Sequence, residues 1–329
     1  MFSTYKFRVS WDWIAALLIY AFMTSVLAFW PQTSRAQDTK FSLGTGGQTG
    51  AYFTFGKQLS SVCGETAGFT AVVQENGTEG NVDAVLANRF PWFIGQVDYL
   101  AFRGMSEDLS VIKVLMPLFP EQVLFLTRND VTSTSGGFNV PLVGNVGGTK
   151  TQLADVTQLT GRKVGAFGGA KATANLIRLQ GGVAYEIMEY TGWDAAYAAL
   201  SKKEVDAIVA VQAKTEGNLR GLPDAVVKSL RVLPIPAETV ARFKSYRPAQ
   251  VKYPNMAPAS SMEVMSALFT RNYTKGPMVA RTEALRKCAM DAADAQSQMP
   301  GTSPAWANIK SGQDVPWEKW APPSAAGRK

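Results

Sequence analysis

The stretch KFSLGTGGQTGAYFTFGKQLSSV, residues 40–62, decides the reading of this chain. Residues 41–43 read as the end of a buried strand, Gly44, Gly46, Gly47 and Gly50 crowd a tight turn, and residues 51–62 read as a helix. Glycine lets the backbone come close to a ligand. The helix that follows points unpaired N–H groups and the positive end of its dipole at the same place. Strand, glycine turn and helix N-terminus together make an anion site out of backbone alone.

Outward from that turn, the N-terminus carries Lys6 and Arg8, an apolar run over 14–30, then Pro31 and the polar PQTSRAQ. Ser34 and Ala36 are small residues placed for a cut after Ala36, the layout of a secretory signal peptide over 1–36. An uncleaved anchor is the alternative, because the apolar run has only 17 residues and barely spans a bilayer. The chain reads as exported and periplasmic. The 293 residues left after the cut suffice for two lobes. Losing Lys6, Arg8, Arg35 and Asp12 lowers the net charge from +7 to +5. The remaining Lys and Arg are scattered, which argues against nucleic acid and suits a mild pull on small anions.

Cys63 and Cys288 are the two cysteines of the chain, 225 residues apart. In an oxidising compartment they are a candidate disulfide, with two buried thiols as the alternative. The chain has no histidine. That closes the Ser-His-Asp and Cys-His routes and the usual His-rich zinc sites. No cofactor, metal or catalytic residue is expected.

Strands alternate with helices: strands over 69–74 and 92–96, helices over 82–87 and 98–104, then apolar runs over 111–119 and 122–128 split by Pro120-Glu121. This pace indicates an α/β layout with a largely parallel sheet. TSTSGGFNVPLVGNVGGTKTQ (132–152) reads as a loop or small hairpin at a lobe boundary. A second unit repeats the first, with a strand over 164–167, a turn at Gly168-Gly169, helices over 172–180 and 193–200, and a strand ending at Gln212. Residues 232–235 read as a strand, 260–273 and 277–298 as helices, and the tail from Met299 as a surface wrap. Lobe one is 41–127 plus 236–329 and lobe two is 128–235.

Ligand sites in open α/β sheets lie beyond the carboxyl ends of the strands. The backbone over Gly46, Gly47 and Gly50 could hold a carboxylate. Thr45, Thr49, Asn76 and Thr78 supply neutral donors, Gln96 stands at a strand end, and Tyr52 and Trp92 offer flat apolar surface or are core. Gly169, Lys171 and Gln212 would close over the top from lobe two. Glu79, Asp98 and Glu121 are carboxylates in the same segments, with no spacing that sets a catalytic pair.

Several of these motifs resemble the TAXI family, the extracytoplasmic solute-binding proteins of one class of TRAP transporters. TGGQTGAYFTFGKQL (45–59) is similar to its TGG-x-x-G-x-Y-Y-x-x-G opening. QENGTEGNVDAVLAN (74–88), GQVDYLAFRG (95–104) and LFPEQVLFL (118–126) follow in its order. LTGRKVGAFGGAKATANL (159–176) and ALSKKEVDAIVAVQA (199–213) resemble its second lobe. Asn81 stands where the family usually has Ser, and Gly168-Gly169-Ala170-Lys171 replaces the common G-S-G-T. The resemblance implies a two-lobed periplasmic binding protein of type II-like fold with hinge strands, no catalytic step, and a TRAP permease as membrane partner. A small carboxylate-bearing solute, an amino acid or organic acid, is the expected ligand. The same architecture serves ABC importers and periplasmic partners of sensor kinases, which is the nearest alternative. A transferase using Lys171 or Cys63, and an exported protein-binding factor, are the other classes.

Overall fold

The computed structural model describes residues 40–323 apart from 75, 136–137, 141–143, 147, 214–218 and 220–221. The expected signal peptide and Glu75 lie outside the described residues. Strand β1 (Phe41–Gly44) runs through the glycine turn into helix α1 (Ala51–Ala67). The helix stops at Gly68, whose left-handed φ of 73° turns its N–H back onto Gly64 O. Then come β2 (Phe69–Val72), α2 (Gly77–Leu86), β3 (Trp92–Gln96) and α3 (Val97–Arg103).

Next is β4 (Ile112–Arg128), a single 17-residue strand where two runs were expected. Pro117 and Pro120 do not end it. Both lie opposite the part of the antiparallel partner strand where the register slips, so the missing N–H groups fall at an irregularity of the ladder. The polar 132–152 segment is a hairpin, β5 (Thr132–Ser135) with β8 (Thr149–Gln152) and β6 (Phe138–Val140) with β7 (Gly144–Val146).

The second unit is β9 (Lys163–Phe167), α4 (Ala170–Gln180), β10 (Glu186–Tyr190), α5 (Trp193–Ser201) and β11 (Ala207–Ala213). The chain continues through α6 (Asp224–Ser229), β12 (Leu230–Val232), α7 (Ala237–Val240), β13 (Tyr246–Val251), β14 (Ala259–Arg271), α8 (Pro277–Gln298) and α9 (Ala305–Asn308).

Ten strands make one sheet in the order β10-β9-β11-β4-β14-β3-β1-β2, with β12 on β4 and β13 on β14. It is mixed rather than largely parallel. Strands β1, β2 and β3 pair in parallel, as do β9, β10 and β11, but β4 and β14 are antiparallel to their neighbours. The two α/β halves are thus joined by two long strands that cross between them. In lobe one the returning strand β14 sits between β3 and β4, giving β2-β1-β3-β14-β4. This is the two-lobed, type II-like arrangement with hinge strands.

Strand β14 overturns the expected helix over 260–273. It is hydrogen-bonded on both sides and buried along almost its whole length. A strand buried on both faces loses the alternation that marks strands, and Met, Ala, Leu and Glu then read as helix formers. The tail is not a surface wrap either. Ala305, Trp306, Val315 and Trp320 are buried, and Val114 exchanges backbone bonds with Glu318 and Trp320.

The disulfide joins Cys63 of α1 to Cys288 of α8, with 5.8 Å between the Cα atoms. It sits in an apolar cluster with Phe55, Leu59, Trp92, Leu285 and Trp306. A second cluster packs α5 against β4 and β11, around Leu124, Ile208 and Leu200. The third runs through both lobes, from Val97 and Leu100 of α3 to Ala170, Ala174 and Ile177 of α4.

Candidate functional site

Beyond β1, the turn is shaped by what crosses it. A Cβ on Gly44 would lie 2.2 Å from Asn81 Oδ1, so only glycine lets that side chain pass. Asn81 Nδ2 donates to Thr45 O at 2.6 Å and to Ile94 O at 2.9 Å, tying α2 to the ends of β1 and β3. The Thr45 hydroxyl donates to Val72 O at 2.7 Å and is fully buried, so its polar group is spent on β2. Gly46 O accepts from Gln74 N–H at 3.2 Å.

Helix α1 starts uncapped. Gly50, at its N-cap, is extended and has no side chain, and no backbone acceptor takes the Ala51, Tyr52 or Phe53 N–H among the described residues. Gly47 and Gly50 are half-buried, while Thr49 is exposed. Asn76 caps α2 in position only: it is exposed and makes no side-chain cap bond.

Tyr52 is 9% exposed, and its hydroxyl donates to Glu121 Oε2 at 2.5 Å. Burial, then the Glu121 carboxyl, pushes the phenol well up, against the pull of Thr78. Burial pushes Glu121 up to about 8, helped by the charge of Asp98 and opposed by the Tyr52 hydrogen bond. At neutral pH most Glu121 carboxyls therefore keep their proton. The Thr78 hydroxyl, nearly fully buried, accepts the Gln96 N–H at 3.2 Å. Gln96 Nε2 is buried without a partner. Trp92 belongs to the core, with its indole N–H on Thr282 Oγ1 at 3.1 Å.

Three contacts cross from lobe one to lobe two here. Gln96 fits against Gly169 so closely that a Cβ on Gly169 would lie 1.7 Å from Gln96 Oε1. Lys171 Nζ pairs with Glu79 at 2.8 Å, with Glu189 farther away at 3.6 Å. Burial would lower its pKa, but the two carboxylates hold the ammonium above its ordinary value. Asp98, fully buried, takes the Thr173 hydroxyl at 2.6 Å and the Tyr246 hydroxyl at 2.7 Å on Oδ2, and the Tyr99 N–H at 2.9 Å on Oδ1. Burial raises its pKa, against the pull of those three donors.

Gln212 lies elsewhere in the hinge. It pairs with Gln122 in the β11–β4 register, so it shares Gln122's side of the sheet, and Glu121 points to the other. Its Nε2 donates to the Tyr253 hydroxyl at 2.6 Å. The structure thus gathers Tyr52, Thr78, Gln96, Gly169, Asp98 and Glu121 at one seam, with Lys171 on its rim. Thr173 lies in the segment after β9 that its place beyond a strand end marks, whereas Tyr246 and Tyr253 carry no signal in the sequence, because each is defined only by partners far along the chain. Among the described residues no group of three or more His, Cys, Asp or Glu could hold a metal ion.

No protein-family model matches the chain, and no curated protein matches it. Solved structures do. XAC2383 from Xanthomonas citri bound to ATP is 13% identical at a TM-score of 0.47, over 82% of this chain and 88% of that one. An ancestral arginine-binding protein bound to arginine is 13% identical at 0.44, over 78% and 93%. The GluR0 ligand-binding core in complex with L-glutamate is 13% identical at 0.41, again over 78% and 93%. Likeness at this level says nothing about what this chain binds.

Proposed function

We propose that this protein is an exported solute-binding protein that captures a small carboxylate-bearing solute between its lobes and delivers it to a TRAP-type membrane permease. One observation carries the reading: among the described residues α1 offers three N–H groups with no backbone acceptor beside a glycine turn, and Gln96, whose backbone N–H reaches the Thr78 hydroxyl next to Tyr52, has a buried side-chain Nε2 without a partner. Unclaimed amides at the positive end of a helix dipole favour an anion. The protonated Glu121 leaves one negative charge fewer beside that anion.

The TAXI motifs over 45–126 and 159–213 support the TRAP partner over an ABC importer or a sensor kinase. A transferase through Cys63 is disfavoured because that sulfur is bonded to Cys288, and one through Lys171 because its ammonium is committed to Glu79. Thermal unfolding against a panel of amino acids, organic acids and small anions tests the reading. A ligand of the folded state at a hundredfold excess over Kd stabilises it by about 2.7 kcal/mol. A carboxylate that shifts the transition, and no longer does so in Gln96→Ala, is the expected result. A silent panel on protein freed of carried solute would overturn it.

A further inference from the structure

The contacts at the seam are made by the protein's own residues, and they are the kind that hold rather than merely touch. Asp98 has three donors from three separate segments: its own helix, α4 of lobe two, and the hairpin strand β13. Both of its oxygens are used, and no part of the residue reaches solvent. Around it the seam is apolar, since one buried cluster contains Val97 and Leu100 of α3 together with Ala170, Ala174 and Ile177 of α4. At the outer edge Lys171 spans to Glu79, and Gln96 occupies the space that a side chain at position 169 would need.

Opening the lobes would strip the Thr173 hydroxyl from a buried carboxylate and wet the apolar faces of α3 and α4. Both cost free energy, and water returns only part of it to the carboxylate.

We propose that Asp98 is a latch: bonded to Thr173 of lobe two and fixed in place by the Tyr246 hydroxyl, it holds the two lobes shut by the protein's own contacts, so that the closed form is the resting form and does not await a solute. Asp98 acts here as a positioning residue that sets the balance between open and closed, whatever the solute is. The proposal stands independently of the carboxylate reading above.

The test uses the purified protein with its disulfide intact, unfolded and refolded to remove any carried solute. Small-angle scattering reads the resting shape, and hydrogen exchange reads the latch locally. The stripped protein is expected to scatter as the closed form. Thr173→Val, which removes the hydroxyl and keeps the shape, is expected to speed exchange of the peptides covering α3 and α4 at least tenfold. Thr173→Ser, which restores the donor, returns exchange to the wild-type rate, and Tyr246→Phe gives a second break on the other donor. Exchange in α1 and α8 stays unchanged in all of them.

Three results would overturn the latch. The stripped wild type could scatter as a more extended particle. Both Thr173→Val and Tyr246→Phe could leave α3 and α4 as protected as before. Or exchange could rise equally in α1 and α8, which marks general destabilisation.

Discussion

The two glycine turns are built from the same parts and end in opposite states. In lobe one the turn between β1 and α1 stays open: Gly50 has no side chain to cap the helix, and the Ala51, Tyr52 and Phe53 amides have no backbone acceptor among the described residues. In lobe two the turn between β9 and α4 is filled. Lys171 and Ala172 N–H fold back onto Gly168 O and Gly169 O, Gln96 occupies the face of Gly169, and Lys171 is committed to Glu79. One local signal, strand then glycines then helix, has produced a turn with unclaimed amides in one lobe and a socket in the other. The glycines tell where a backbone is approached closely; only the partner tells whether by a ligand or by the opposite lobe.

The largest way to break this comparison is at the support of the open turn. Helix α1 is tied to α8 by the disulfide and α4 has no such tie. Reducing it, or Cys63→Ser with Cys288→Ser, is expected to cost about 3–5 kcal/mol in denaturant unfolding, with α1 and α8 losing exchange protection before α4. An unchanged midpoint would mean the apolar cluster of Phe55, Leu59 and Trp306 suffices alone.

Next is the acid beneath the turn. The folded-state pKa of Glu121 is raised, so its contribution to stability is full below its unfolded value near 4.5 and fades as pH rises through about 8. Stability is expected to fall by roughly 5 kcal/mol or less between about pH 4.5 and 8. Glu121→Gln keeps an acceptor for Tyr52 and should flatten that slope; an equally steep slope in the variant assigns it to other groups.

A smaller effect separates the glycines themselves. A Cβ on Gly46 meets nothing nearer than Tyr52 Cβ at 3.4 Å, whereas one on Gly169 strikes Gln96 Oε1. Gly169→Ala is expected to lower the free energy of unfolding by about 1–2 kcal/mol in denaturant unfolding, and Gly46→Ala by less. The reverse order would show that Gln96 swings away freely. Least of all is the rim pair: Lys171→Ala loses a partly exposed bridge to Glu79 and should cost under about 1 kcal/mol in thermal unfolding. A larger loss would give the rim a share of the hold proposed for Asp98.

Much of this layout was legible along the chain. Strands β1, β3 and β9 announce themselves because a short apolar run stops at glycines or a polar side chain, and Cys63 found Cys288 because no other cysteine competes. What failed was whatever depends on neighbours. Strand β14 reads as a helix because its partners on both sides bury both its faces. No pattern along the chain marks strands β10 and β13, and β4 reads as two runs split at prolines that a slipped register accommodates. At the seam, Thr78, Gln96, Gly169 and Lys171 could be nominated from their place after strands. That Thr45 spends its hydroxyl on β2, and that Asp98 meets residues 75 and 148 positions away, is tertiary information no local pattern holds.

The position of β14 also has a consequence for synthesis. A chain that emerges N-terminus first delivers β1, β2, β3 and β4 early, but the strand that joins β3 to β4 ends only at Arg271. The partners of α1 and of the first half of β4 come later still, at Cys288 and at Glu318 and Trp320. Lobe two, whose strands β9, β10 and β11 lie together in the middle of the sequence, can assemble while lobe one waits with two unjoined sheet edges. Contacts this distant in sequence fold slowly and leave edges open to wrong partners meanwhile. Completion of lobe one therefore waits for residues 259–320.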